Sequence, residues 1–344
     1  MKANYFKYRL QFNQASGTSR GVLTYKDTWF IQINQGSLKG IGECGMFKGL
    51  SIDDRADFET KLAWTCDNID LGLDALLAAL IKFPSIQFGL EMAYQSMNQK
   101  VPFELFPSDF TNGKDSIPIN GLIWMGDKSF MKQQIKDKLA SGFSCIKLKI
   151  GAIDFDKELE LIKSIRNEFD SQTIEIRVDA NGAFKPNEAL EKLKQLSDYE
   201  LHSIEQPIQQ GQLDKMAQLC SESPLPIALD EELIGVFSVT NKEFLLQTIK
   251  PQYIILKPTL VGGFKGSQDW IDLAESKHIG WWVTSALESN IGLNAIAQWT
   301  YTLKSQLPQG LGTGGLFTNN IQAPLTVAFG QLFYDLKTKW NLKF

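Results

Sequence analysis

Five polar residues recur at nearly even intervals through the second half of this 344-residue chain. Lys149, Asp179, Glu205, Asp230 and Lys257 stand 30, 26, 25 and 27 residues apart, in the apolar runs CIKLKI, IEIRVDA, LHSIEQ, PIALDEE and YIILKPT. Each interval is about the length of one strand–helix unit, and a helical pattern lies between consecutive runs: Phe155–Phe169, Asn187–Leu196, Leu213–Cys220 and Thr240–Ile249. The rhythm extends backwards to IPINGLIWM with a helix over Lys128–Leu139. It extends forwards through a helix at Phe264–Lys277 to WWVTSAL with a helix at Gly292–Leu303. Seven strand–helix repeats and a final short strand at GLGTGG predict an α/β fold, a modified TIM-type (β/α)7β barrel over residues 116–318. An open doubly wound sheet is the alternative, but the GxGxxG turn expected after its first strand is missing.

The first 115 residues follow another pattern. YFKYRLQF alternates, QASGTSRG carries turn residues, VLTYKDTWFIQIN is rich in β-formers, and LKGIGECGMF reads as a third strand ending in a glycine-punctuated loop. Cys66–Leu80 and Ser85–Met97 read as helices. These elements predict a separate small α+β domain over residues 1–115, with the aromatic-rich tail, 319–344, packing back on it.

Composition removes several classes of function. Hydrophobic residues make up 43% and charged residues 22%, ordinary for a soluble globular chain. A net charge of -4 carries no basic footprint for nucleic acid and no polybasic patch for a membrane surface. The longest apolar stretch, around Leu76–Ile81, is too short to span a bilayer. The opening MKANYFKYRLQF has no apolar run followed by a cleavage site, so a cytoplasmic location is expected. The cysteines (Cys44, Cys66, Cys145, Cys220) form no CxxC pair, which argues against a disulfide framework or structural zinc. With only His202 and His278 present, acid–base chemistry falls to lysines and carboxylates.

Alternate side chains of a strand share a face, so Lys147 and Lys149 point together, opposite Ile146, Leu148 and Ile150. Two ammoniums on a buried face need anions. Residues at the C-terminal strand ends of such a barrel face the active site, which places Asp179, Glu205 and Asp230 side by side between Lys149 and Lys257. Three close carboxylates repel unless a divalent cation joins them. An all-oxygen set favours magnesium, and the absence of nearby histidine or cysteine disfavours zinc. A dication facing a neutral lysine suits removal of a proton α to a carboxylate, and Lys147 with the metal charge is expected to lower the Lys149 pKa. Taken singly, an Asp or Glu here is ordinarily a helix N-cap or surface residue, Asn181 a turn former, and Glu231 and Glu232 a solvated first helical turn. The ordered set over five consecutive strands is not explained that way.

The series KxK, VDAN, EQP, LDE and LKP, with GIGEC at Gly40–Cys44, resembles the enolase superfamily in its muconate lactonising enzyme-like branch, over nearly the whole chain. The resemblance implies that the first domain caps the barrel and that Asp179, Glu205 and Asp230 hold Mg2+, with Mn2+ as a substitute. It implies catalytic roles for Lys149 and Lys257 on the two faces of the substrate, supported by Lys147 and Asn181; lysine with magnesium is the known solution of that superfamily. Within the branch, TSRG at Thr18–Gly21, INGLIWMG, LKPTLVGG at Leu256–Gly263 and SALESNIGL at Ser285–Leu293 are similar to the o-succinylbenzoate synthases of menaquinone biosynthesis. That similarity implies syn dehydration of a small carboxylate, 2-succinyl-6-hydroxy-2,4-cyclohexadiene-1-carboxylate. Lys149 would take the α-proton and then assist loss of hydroxide, while Lys257 stays charged against the ring.

Two alternatives share the branch. Dipeptide epimerases carry an Asp-x-Asp pair after strand seven or eight, which SALESNIGL lacks; N-acylamino acid racemases are not separated by sequence. A non-catalytic barrel acting as a binding protein is the alternative from another class. Further substrate contacts stay open. Arg20 either pairs with a succinyl carboxylate or is a solvated loop residue. Met46, Phe47 and Leu50 form either an apolar lid or interdomain packing. Gly312 and Thr313 either offer backbone amides to an anion or belong to a crowded final strand. Ser285 and Glu288 are candidates from SALESNIGL, Glu288 either holding an ammonium or bonding within its loop.

Overall fold

The alternation of the first 44 residues produces three antiparallel strands, β1 (Lys2–Thr18), β2 (Gly21–Gln35) and β3 (Leu38–Cys44), in that order across the sheet. Helices α1 (Phe58–Asp67), α2 (Leu73–Ala79) and α3 (Pro84–Met97) follow. The computed structural model describes residues 1–18, 21–99, 101, 103–124, 128–151 and 153–342. Trp29, Ile31 and Ile33 of β2 pack with Phe58, Leu62, Leu76, Ile86 and Leu90 into a core of their own. Helix α3 lies directly on β3 because Gly42 presents no side chain: a Cβ there would stand 1.9 Å from the Gly89 carbonyl oxygen. The single helix expected over Cys66–Leu80 is instead two. α1 ends at Asp67, a single 3-10 turn covers Ile69–Leu71, and Gly72, at a φ of 84°, separates that turn from α2. Apolar spacing runs through the break because Ile69, Leu76 and Leu80 are all buried.

The run IPINGLIWM also divides. β4 (Ser116–Pro118) stays outside the barrel, and β5 (Gly121–Ile123) opens it. Six parallel strands continue: β6 (Cys145–Lys149), β7 (Glu175–Asp179), β8 (Ser203–Glu205), β9 (Ile227–Leu229), β10 (Tyr253–Leu256) and β11 (Gly280–Val283). They lie side by side in chain order. The helices that wrap them are α4 (Lys128–Ala140), α5 (Phe155–Glu168), α6 (Pro186–Ser197), α7 (Leu213–Glu222) and α8 (Val239–Ile249). A short α9 (Pro258–Val261) precedes α10 (Gly263–Ser276), and α11 (Asn290–Thr302) ends the series. The final short strand is reduced to two bridges, Gln309 to Ile119 and Gly310 to Thr284, which close the ring between β11 and the start of β5. The tail hairpin of β12 (Leu325–Ala328) and β13 (Gln331–Tyr334) pairs with β4. Beside it, Trp340 stacks on Phe103 at 4.3 Å, and Asn319 Nδ2 donates to the Arg9 carbonyl at 2.8 Å. No helix among the described residues is long and apolar enough to cross a membrane.

Two carboxylates of the first domain enter the amino ends of two barrel helices. Glu91 of α3 accepts from the backbone N–H groups of Phe264 (2.5 Å) and Lys265 (3.1 Å) at the start of α10. Glu43 of β3 accepts from Ser289 N (2.9 Å), Ser289 Oγ (2.5 Å) and Gly292 N (2.9 Å) at the start of α11, and from Thr28 Oγ1 at 2.9 Å. The first N–H groups of a helix lack internal partners and carry the positive end of its dipole, so a carboxylate there is doubly favoured. Glu43 is wholly buried, and replacing it leaves four donors unsatisfied at once. Glu43→Ala is therefore expected to lower unfolding stability by about 3 kcal/mol in urea titration; a loss below about 1 kcal/mol would contradict this docking role.

Candidate active site

Parallel register assembles the site. Lys149 of β6 pairs with Asp179 of β7, and Asp179 with Glu205 of β8, so three charged side chains enter the barrel mouth in one layer. Asp230 immediately follows β9, and Lys257 immediately follows β10. Asp179, Glu205 and Asp230 are 1%, 2% and 3% exposed. Lys147 Nζ stands between two of them, 2.9 Å from Asp179 Oδ2 and hydrogen-bonded to Glu205 Oε2. Lys149 Nζ donates to Asp179 Oδ2 at 3.0 Å and to Asn181 Oδ1 at 2.5 Å. Lys257 Nζ donates to Asp230 Oδ2.

The loops after the strands are fixed by the motifs themselves. Asn181 takes a φ of 44°, donates its backbone N–H to Asp179 Oδ1 at 2.9 Å, and donates Nδ2 to Glu231 Oε1 at 3.1 Å. Gln206, at a φ of 40°, accepts from the backbone N–H groups of Asp230 (3.2 Å) and Glu232 (3.3 Å) and donates to Glu232 Oε2 at 3.1 Å. Glu231 and Glu232, expected as a solvated helical turn, are buried. Gln206 and Asn181 draw them inward from neighbouring strands, a role for Gln206 that local sequence does not display.

Electrostatics in this layer are set by burial and by neighbours. Burial, then repulsion from Asp179, pushes the Glu205 carboxyl up to about 8. Burial opposes ionisation of Asp179 too, yet Lys147 and Lys149 outweigh it and hold that carboxyl well below the usual range. Burial raises Asp230 against the pull of Lys257. Lys147 and Lys257 are disfavoured as ammoniums by burial, but the adjacent acids prevail and hold both above the usual lysine value.

Glu205 Oε1 is buried with no hydrogen-bond partner. Among the described residues no three acids converge closely enough to share an ion, and lysine ammoniums pair with Asp179, Glu205 and Asp230. The donor chemistry still fits a hard dication: oxygen ligands alone, one of them orphaned, and a carboxyl raised by burial and by its acidic neighbour Asp179.

Lys147, Lys149, Asp179, Asn181 and Lys257 line a cavity of about 170 Å³. Glu205 and Asp230 lie outside its lining, in contact with Lys147 and Lys257. Ser285, Gly312 and Thr313 are on the wall, with Ser285 Oγ and Thr313 Oγ1 2.6 Å apart. Phe47 and Leu50 reach the cavity from the first domain, whereas Met46 packs against that domain's own core. Glu288 does not reach it: fully buried, it accepts from Thr259 Oγ1 on one oxygen and from the Ala286 N–H at 2.8 Å on the other. Arg20 lies outside the described residues. Asn120, Leu122 and Trp124 also line the cavity and were not singled out by sequence, although their spacing of two in INGLIW is the signal of one strand face.

Residues 131–330 match the family model described as Enolase C-terminal domain-like. The o-succinylbenzoate synthase of Desulfotalea psychrophila is 47% identical over 96% of this chain and 98% of its own length. The crystal structure of MenC from Desulfotalea psychrophila LSv54 is 44% identical with a TM-score of 0.87, covering 97% of this chain and 99% of that one. The L-amino acid-D/L-Glu epimerase of Francisella philomiragia is 30% identical over 53% of this chain and 51% of its own length. Family match, near full-length identity and matching fold agree, and the chain belongs to the enolase superfamily, in the family of the o-succinylbenzoate synthases.

Proposed function

We propose that this chain dehydrates 2-succinyl-6-hydroxy-2,4-cyclohexadiene-1-carboxylate to o-succinylbenzoate, with Lys149 as the base and Mg2+ held by Asp179, Glu205 and Asp230. One observation carries the reading: Lys149 and Lys257 enter a single cavity from opposite ends of a row of three buried acids. When bound, magnesium supplies positive charge at the substrate carboxylate as the adjacent proton leaves. Neutral Lys149 takes that α-proton, its Nζ aimed by Asn181 Oδ1 and Asp179 Oδ2. The ring carbon–oxygen bond then breaks, and hydroxide leaves as water with the proton returned by the Lys149 ammonium. One lysine serving both steps on one face gives the syn outcome, and the ring gains its third double bond. Lys257, kept charged by Asp230 and its neighbours, faces the accumulating negative charge and the ring from the other side. Phe47, Leu50 and Trp124 limit water around the reacting carbon.

Proton exchange at one carbon by both lysines is the second reading, favoured because both ammoniums line the same cavity. Its dipeptide form needs an acid to hold the substrate ammonium, and Glu288 is committed to Thr259 and Ala286 instead.

Ultraviolet-monitored turnover separates the readings. Magnesium-dependent loss of diene absorbance, abolished by a chelator and more efficient than reaction of any N-acylamino acid, is expected. Solvent deuterium appearing in an N-acylamino acid or dipeptide without diene turnover would move the function to racemase or epimerase. Lys149→Ala is expected to lower kcat by about 1000-fold or more while magnesium still raises the melting temperature; near-normal turnover would sink the mechanism. Asp230→Asn is expected to weaken magnesium affinity by at least roughly 10-fold in calorimetric titration, and unchanged affinity would remove it from the ligand set.

A further inference from the structure

Behind the cavity wall, where the first domain meets the barrel, three ionisable side chains are buried together: Lys26 of β2, Glu43 of β3 and Glu288 of the segment between β11 and α11. Glu43 is satisfied by four donors, and Glu288 by two. Lys26 is 6% exposed, and its Nζ donates to no acceptor in the structure. A Cβ on Gly45 would stand 3.3 Å from Lys26 Nζ, 3.4 Å from Glu288 Cγ and 3.5 Å from Thr259 Cγ2, so the four groups meet at one point. Burial pulls the Lys26 pKa down, and the fields of Glu43 and Glu288 oppose it. An unpaired ammonium in such a place is costly, and an aliphatic residue would fill it at less expense.

The segments meeting there are those that shape the cavity. Gly45 leads into Phe47 and Leu50, Glu288 follows Ala286 and Leu287, and Thr259 lies two residues beyond Lys257. We propose that Lys26 is a positioning residue: its ammonium balances Glu288, whose two oxygens hold Thr259 and Ala286, and so sets the Lys257 turn and the Ala286–Leu287 wall against the Phe47 loop. The proposal rests on the reading of Lys257 as a catalytic lysine. Without Lys26, Glu43 and Glu288 remain as two buried carboxylates with no cation beside them. Glu288, with fewer donors, is the one that yields and releases Thr259.

Steady-state turnover of the cyclohexadiene carboxylate by the full chain with magnesium tests this. Lys26→Met is expected to lower kcat about 30-fold while KM changes less than about 3-fold, because Lys26 touches no substrate. Adding Glu288→Gln to Lys26→Met removes the uncompensated charge and is expected to return kcat to within about 5-fold of Glu288→Gln alone. A residue that merely fills space gives losses that multiply in the double variant. Thr259→Val, which keeps shape and deletes the hydroxyl donor, is expected to lower kcat about 10-fold along with a modest fall in melting temperature, and a normal kcat here counts against the role even if Lys26→Met does not fold. Normal kcat in Thr259→Val, or multiplying losses in the double variant, overturns the positioning role alone. Absence of diene turnover by the wild-type chain overturns the proposed dehydration and this role together.

Discussion

Three buried acids at successive strand ends of one barrel mouth repel one another, and the surrounding site is organised to contain that repulsion. The parallel register places Asp179 beside Glu205 whatever their charges, because side-chain direction in a strand is set by the backbone. Lys147, one inward step below Lys149 on β6, lies between those two acids and neutralises them unequally: Asp179 is held ionised by two lysines, while Glu205 is left with a raised pKa and an unpartnered oxygen. Asp230 is drawn to Lys257 instead. The row is therefore charge-compensated at its ends and deficient at its centre, the place where a dication would complete it. Loops that would splay under this load are tied by Asn181 after β7 and Gln206 after β8, each in a left-handed backbone conformation and each bonded to the turn that follows β9.

A barrel mouth built this way is open, and the first domain closes it only if docked in one orientation. Glu43 and Glu91 supply direction to a contact whose apolar part is made by Phe88 and Met92 of α3 packed into the barrel core. Each glutamate enters the first turn of a different helix, where backbone N–H groups point outward along the axis. Two such contacts, on consecutive helices, resist both sliding and rotation of the cap. The loop that leaves β3 immediately after Glu43 is the one that delivers Phe47 and Leu50 to the cavity, so fixing Glu43 fixes the lid.

Much of this was legible in the sequence, for a physical reason. Each barrel unit is local: a strand, its helix and its polar end residue lie within about thirty positions, so even spacing translates directly into neighbouring strands. The features that escaped are those decided by distant partners. β4 separates from β5 because its hydrogen-bonding mate, β13, lies near the other end of the chain. The break at Gly72 hides under apolar residues that bury on both sides of it. Glu231 and Glu232 read as solvated because nothing nearby in sequence reveals that Asn181 and Gln206 will bond them. Glu288 read as an open question, and its partner Thr259 sits one whole strand–helix unit away.

The same locality explains how one barrel serves dehydration or proton exchange. The acids and lysines sit on strand ends whose register a change in the loops leaves untouched, whereas the cavity wall comes from the cap, from Ser285–Leu287 and from the segment around Thr313. Exchange of a proton between two faces needs both lysines equally able to lose charge. Here the two are unequally placed: Lys149 shares its acid with Lys147 and leans on the neutral amide of Asn181, while Lys257 has Asp230 to itself and is held above the usual lysine value. A lysine held charged against one acid on one side of the cavity, and a lysine aimed by a shared acid and an amide on the other, make an asymmetric pair, and such a pair suits elimination, in which one face does the proton transfer and the other bears charge.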